Sequence, residues 1–500
     1  MSELQPVTST SVQTSDADTT FAELLNKSFR PTSDEKRHAI EAAVSTLAEW
    51  AVRNTAVLSE DTVASVQGLI AEIDRMLSAQ INEILHDPTL QKLESAWRGL
   101  HYLVSNTESD DKLKIRVLPI TKQELRNTTR KYKGQAWDTS PLFKKLYEEE
   151  YGILGGEPYG CLVGDYAFDH SLPDVETLRE LSKVSAAAHM PFIAGAAASV
   201  MGMDSWRELS NPRDLSALFS TPEYAAWNAL RKSEDARYIG LAMPRFLART
   251  PYGAKADPVE EFDFEEDTDG ASADRFCWAN AAYGMAVNIN RAFKEFGWCT
   301  RIRGVESGGA VENLPTYTFP TDDGGVDVAC PTEIAISDRR EAELGRNGFM
   351  PLLHRKGSNL AAFIGAQSLQ KPTVYDDPDA TANAELSARL PYLFATTRFA
   401  HYLKAMVRDK IGSELGGPEK IQEWLQGWMD ANYVHANPEI ASDVEKARRP
   451  LAAAQVIVVE DRENPGYYNA QFLLKPHYQL EGLTVALKLV AKLKSEKQQA

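Results

Sequence analysis

The sequence predicts a mixed α/β chain of two or three domains, and three observations predict it. Its 500 residues exceed what one hydrophobic core usually serves. The first hundred carry long helical periodicities, and the middle alternates β-branched runs with amphipathic ones. The last sixty residues read as a hairpin followed by a helix.

Residues 1–19 are polar and poor in large apolar side chains, which reads as a disordered leader. Thr20 and Glu23 have capping-box spacing and open a short helix that Pro31 stops. Phe21, Leu24, Leu25 and Phe29 share one face of it. Two longer helices follow at Asp34–Asn54 and Glu60–His86. In the second, Val63, Val66, Ile70, Ile73, Leu77 and Ile84 recur at threes and fours, a seam for a long partner helix or for an internal pair. A further helix at Leu90–Val104 carries Trp97, and a strand is expected at Leu113–Ile120.

Strands are then expected at Tyr159–Tyr166, Tyr238–Met243, Thr300–Val305 and Val326–Ile336. Helices are expected at Val175–His189, Asp274–Phe296 and Ala382–Asp409. The stretch 257–274 holds nine acidic residues and no basic one, which reads as a solvated, mobile loop. Ala454–Val459 and Tyr467–Leu474 form a hairpin around Arg462-Glu463-Asn464-Pro465-Gly466. After Pro476, Gln479–Lys497 reads as a helix with Lys488 and Lys492 stacked on one flank.

Composition excludes several classes. With 71 acidic and 54 basic residues the chain carries a net charge of −17, so a nucleic-acid partner is not expected. No run approaches the roughly 20 apolar residues that span a bilayer. The N-terminus has neither the basic nor the apolar region of a secretory signal, and the expected location is cytoplasmic. Cys161, Cys277, Cys299 and Cys330 have no paired spacing, which argues against a disulfide framework and a cysteine zinc site.

No catalytic or cofactor motif emerges. Neither phosphate-loop nor dinucleotide fingerprint is present, and the nine histidines lack metal-ligand spacing. His189 and His401 sit in apolar surroundings, as buried polar anchors do. Gly304-Val305-Glu306-Ser307-Gly308-Gly309 does not meet the nucleophile-elbow pattern. In Asp338-Arg339-Arg340-Glu341 the arginines depress the acids, which suits an ion-pair network over a general acid. No metal, no cofactor and no enzymatic activity are expected. The competing class is a cytosolic α/β enzyme with a site near His189, Glu306 and Asp338.

Several strings together resemble one family, the large subunit of the contractile sheath of type VI secretion. They include Leu93-Glu94-Ser95-Ala96-Trp97-Arg98-Gly99-Leu100, Gly160-Cys161-Leu162-Val163-Gly164-Asp165-Tyr166 and Ala188-His189-Met190-Pro191-Phe192. Ile302-Arg303-Gly304-Val305-Glu306, Asp338-Arg339-Arg340-Glu341, Arg398-Phe399-Ala400-His401-Tyr402-Leu403-Lys404 and Pro476-His477-Tyr478-Gln479-Leu480-Glu481 continue the series in family order. Ser307 departs from it, where the family more often has glycine.

The resemblance implies a structural subunit that pairs with a small sheath subunit. The pairs stack as six-fold rings around an inner tube of a small hexameric protein, joined by exchanged strands and seated on baseplate components. Contraction drives the tube, and a AAA+ unfoldase recycles the sheath through a short N-terminal helix. On this sequence the unfoldase handle falls on Phe21, Leu24, Leu25 and Phe29 within 20–31. The small-subunit contact falls on the Val63–Ile84 seam within 32–110. The α/β sheath core is then 111–450, and 451–500 supplies the inter-subunit hairpin and an inner-tube contact at Lys488 and Lys492.

Overall fold

The computed structural model describes residues 36, 38, 42, 46 and 62–477, apart from 212–213, 255, 261, 269–272, 321–324, 411–416, 436–439 and 461–467. The handle at Phe21, Leu24, Leu25 and Phe29 lies outside the described residues, as do most of Asp34–Asn54 and the whole of Gln479–Lys497 with Lys488 and Lys492. The chain divides into two compact units, residues 1–83 with 259–266, and residues 84–258 with 267–500.

Helix α1 (Thr62–Leu85), which belongs to the first unit as far as Glu83, carries Ala, Leu, Gln and Glu, all good helix formers. The Arg75 guanidinium donates to both Glu72 carboxylate oxygens across one turn, at 2.6 and 2.8 Å. Residues 259–266 correct the expectation of a fully solvated acidic loop. Phe264 is buried, Glu266 is buried, and Asn82 donates to the Glu265 carbonyl at 3.1 Å. Phenylalanines alternate with the acids here, and burying one ring yields roughly 1.5–3 kcal/mol, enough to outweigh screened repulsion.

The second unit is built on a six-stranded sheet. Its strands are β1 (Leu162–Phe168), β2 (Phe192–Ala196), β3 (Ile239–Met243), β4 (Ala310–Val311), β5 (Phe349–His354) and β6 (Ala361–Phe363), in spatial order β1-β2-β3-β5-β6-β4. β1, β2, β3 and β5 are parallel, while β6 and β4 add antiparallel. Each face of the sheet carries its own core, as strand alternation requires. Phe192, Ala194, Leu241 and Phe349 pack on one side with Leu178, Leu181 and Val184 of the crossover helix running Leu172–Ala188. Ile193, Ala242, Met350 and Leu352 pack on the other with the helix Ala281–Phe296.

Helix α2 (Pro88–Ser105) begins at Asp87, whose carboxylate accepts from the N–H groups of Thr89 and Leu90. The remaining long helices are α3 (Lys122–Lys131), α4 (the crossover helix Leu172–Ala188), α5 (Ala281–Phe296), α6 (Asp338–Arg346), α7 (Pro378–Ser387), α8 (Leu390–Lys410) and α9 (Pro418–Asn432). A third core joins α8 and α9 to the hairpin β7 (Leu451–Glu460) and β8 (Tyr468–Pro476) through Phe399, Leu425, Met429, Val456 and Val458.

Several expected elements are corrected. Leu113–Ile120 forms no strand and pairs with none among the described residues. Its alternation is taken up by side chains instead, Lys114 bonding Glu157 and Arg116 bonding Glu150 and Glu157. Thr300–Val305 forms no strand, because Gly304 at φ 75° and Gly308 at φ 89° turn the chain back on itself. Val326–Ile336 is a strand only over Val326–Val328, paired with Thr318–Pro320. The helix expected from Asp274 starts at Ala281, capped by Asn280, since Trp278–Ala279 joins a short ladder with Phe246–Leu247. Ala382–Asp409 splits into α7 and α8 around Ala388-Arg389, where Pro391 cannot continue a helix from its N-terminal side.

Candidate interaction surfaces

The first surface is the apolar stripe of α1. Ile70 is 52% exposed, Leu77 45% and Ile84 51%, three residues spaced by seven on one helical face. Ile73 is half-buried and Leu69 is buried, so the neighbouring face is the one the chain covers itself. Val63 and Val66 lie on the same helix.

The second surface is α2, and its mounting explains the string Leu93–Leu100. Glu94, Ser95, Arg98 and Gly99 face inward. Glu94 accepts from Arg249 at 2.6 Å and from Arg98 at 2.7 Å. Burial alone raises the Glu94 carboxyl, but the bonds and charges of Arg249 and Arg98 outweigh it and hold the carboxyl below its ordinary value. The Ser95 hydroxyl donates to the Trp278 carbonyl at 2.5 Å, and Arg98 also donates to the Tyr252 hydroxyl. Gly99 lies against the Tyr283 ring of α5. Opposite them, Leu93 is 56% exposed, Trp97 66% and Val104 48%. The string's two faces are not separated by the resemblance that singles it out. The i, i+4, i+11 spacing of Leu93, Trp97 and Val104 is the signal that finds them.

The third surface is the hairpin. β7 and β8 pair antiparallel from Leu451↔Pro476 to Glu460↔Tyr468. Ala454, Val456, Val458, Phe472 and Leu474 belong to or pack on the third core, while Gln455, Gln471, Leu473 and Lys475 on the opposite face are exposed. Gln426 of α9 accepts from the Val456 N–H at 2.8 Å, and Gln422 accepts from the Val458 N–H at 3.0 Å. Gln426 also donates to the Ala454 carbonyl at 2.9 Å.

The comparisons with known proteins agree on one family. A model of the EvpB/VC_A0108 tail sheath N-terminal domain matches residues 67–370, and the gpW/gp25-like domain of the same sheath protein matches residues 379–493. The type VI secretion system sheath protein TssC1 of Pseudomonas aeruginosa is 66% identical over 478 residues, covering 96% of each chain. The chain belongs to the type VI secretion tail sheath family. Two solved structures of the anti-feeding prophage, its baseplate and its contracted helical sheath, share 12% and 11% identity. They cover 76% and 78% of this chain, and 84% and 85% of theirs, at TM-scores of 0.37 and 0.35. At those values the likeness adds nothing to the assignment.

The chain is accordingly a structural sheath subunit of type VI secretion and not an enzyme. The residues of the rival enzymatic reading fall apart in this sheath subunit. His189 ends α4 in the left-handed region, Glu306 is exposed in the Gly304–Gly309 turn, and Asp338 is exposed in the first turn of α6. No hydrogen bond or ion pair among the described residues joins them. Within the charged string it is Arg340 that pairs, donating to Glu343 at 2.7 Å and to the Asn211 carbonyl at 3.3 Å. His401 is buried, and its Nε2 bonds the Ala188 carbonyl at 2.9 Å, the anchoring role expected of it. No helix among the described residues is long and apolar enough to cross a membrane.

Proposed function

We propose that this sheath subunit works only in a polymer, paired with a small sheath subunit and stacked in six-fold rings around a hexameric inner tube in the cytoplasm. The observation that carries the reading is the open α1 stripe, Ile70, Leu77 and Ile84, each about half exposed at heptad spacing. Covering the exposed half of each side chain contributes roughly 1–1.5 kcal/mol per residue before ordering costs. The small subunit supplies the helix that covers it, and Leu93, Trp97 and Val104 of α2 offer a separate apolar area to neighbours. The hairpin receives strands from adjacent subunits by β-augmentation, so rigid bodies can reorient during contraction without losing connection. Baseplate components seat one end of the polymer.

The same reading gives Phe21, Leu24, Leu25 and Phe29 to a AAA+ recycling unfoldase, and Lys488 and Lys492 to a salt-sensitive contact with the inner tube. Co-production with the small subunit, followed by electron microscopy, is the test. Hollow tubes are expected, and Ile70→Asp with Leu77→Asp abolishes both pairing and tubes. A soluble, monomeric wild-type chain that ignores the small subunit sinks the reading. Leu24→Asp with Leu25→Asp removes unfoldase binding and leaves tubes intact; undiminished binding moves the handle elsewhere.

A further inference from the structure

A two-stranded hairpin has two outer edges, and in this chain they are not equivalent. The Val456 and Val458 N–H groups donate to Gln426 and Gln422, and the Ala454 carbonyl accepts from Gln426. These three residues therefore turn their backbone groups away from β8. Residues directly opposite in an antiparallel pair turn the same way, both toward each other or both apart. Their partners Leu474, Phe472 and Ala470 thus aim N–H and C=O off the outer edge of β8. Those groups meet no partner among the described residues.

The fit of α9 to the β7 edge is geometric. Residues four apart on a helix are separated by about 6 Å along its axis. Alternate residues of a strand are separated by about 6.8 Å. Gln422 and Gln426, one turn apart, therefore reach Val458 and Val456, two residues apart, with the helix antiparallel to the strand. A carboxamide carries both an acceptor and donors, so it reproduces what a neighbouring strand would offer. Asp430, one turn further on, accepts from Gln426 Nε2 at 2.9 Å and helps orient the amide.

We propose that Gln422 and Gln426 act as a surrogate strand that closes the β7 edge, so that a strand from another sheath subunit adds only to β8. The resulting order is incoming strand, β8, β7, α9. The fitting partner is an extended segment with apolar side chains at alternate positions, continuing the face made by Val456, Val458, Phe472 and Leu474. The inference rests on the strand-addition reading above and adds which edge is used. Leaving one edge open makes the join directional and prevents hairpins from stacking edge to edge without limit.

The test is residue-resolved amide hydrogen exchange on assembled sheath, wild type against Gln422→Ala with Gln426→Ala. In wild-type sheath the Ala470, Phe472 and Leu474 amides are expected to be slow. In the variant sheath they stay slow, while the Val456 and Val458 amides, having lost their acceptors, exchange about tenfold faster or more. Val456 and Val458 amides that stay slow in the variant mean that a neighbour's strand covers β7, and overturn the inference while leaving strand addition standing. Fast exchange at Ala470, Phe472 and Leu474 in wild-type sheath sinks strand addition itself. Should the double variant fail to assemble, Ala470→Pro supplies the second readout, because it deletes an outward N–H without touching the β7–β8 ladder. Loss of tubes from a folded Ala470→Pro chain supports the assignment, and normal tubes refute it.

Discussion

A methyl group at position 99 would fall well inside van der Waals contact with Cε2 and Cδ2 of Tyr283. That ring cannot retreat easily, being 8% exposed and tied through its hydroxyl to the Ala96 carbonyl at 3.4 Å. Gly99→Ala is therefore expected to cost about 1–3 kcal/mol, read as a lower Tm. Gly99→Ala combined with Tyr283→Ala should recover part of that loss, a coupling that a double-mutant cycle measures. His401 gives a second prediction, of opposite character. Its ring is neutral: Nε2–H donates to the Ala188 carbonyl, and Nδ1 is buried with no hydrogen-bond partner. Burial first, then the charges of Arg398, His189 and Lys404, push its pKa down to about 4 against the bond to Ala188. Because the folded pKa lies below the unfolded value of about 6.5, the unfolded chain gains protons first as pH falls. Stability is full above pH 6.5 and is lost progressively down to about pH 4. From this group the loss between pH 7 and 5 is about 2 kcal/mol, measured by denaturant titration at both values. His401→Gln keeps a donor for Ala188 and should flatten that slope.

At the scale of elements, α2 turns two adjacent kinds of residue to opposite uses. Glu94 is 16% and Arg249 6% exposed in their side chains, so removing one partner strands a buried charge. Glu94→Ala is expected to cost about 3 kcal/mol or more. Trp97→Asp, three positions on, should leave stability within about 0.5 kcal/mol of wild type, because the side chain is mostly in solvent, yet abolish tube formation. Normal tubes from the Trp97 variant would remove α2 from the assembly surface. The contrast also marks what the sequence made legible. Elements with a strong period and a flanking signal, such as α1, α4 and both hairpin strands, lie within a few residues of expectation. The central strands β2, β5 and β6 went unread because they are buried on both faces and so lack alternation. Pro351 has no N–H to give a ladder, yet β5 tolerates it because it sits where the β3 ladder ends, at Met243↔Pro351. Leu113–Ile120 failed the other way: alternation was present, but ion pairs to Glu150 and Glu157 use it. The open stripes on α1 and α2 were readable as apolar seams. Their exposure was not, since it depends on which face the rest of the chain leaves bare.

For the whole molecule, the absence of a catalytic role decides where the work of a sheath must reside. The sheet of the second unit carries a core on each face, and a third core locks the hairpin to α8 and α9, so the second unit is by itself a densely packed body. Contraction then has to draw on a difference between two packings of such bodies, on the order of a few kcal/mol per subunit and multiplied along the polymer. Extended sheath, heated without nucleotide, should first release heat in an irreversible step that shortens the tubes, and unfold only at a higher temperature. Contracted sheath should show the unfolding step alone. The first step should neither need nor respond to ATP, because the energy was stored when subunits were added. A single unfolding transition from the extended state, with tubes at full length until they melt, would mean that the extended packing is the stable one. The driving energy would then have to come from outside the polymer.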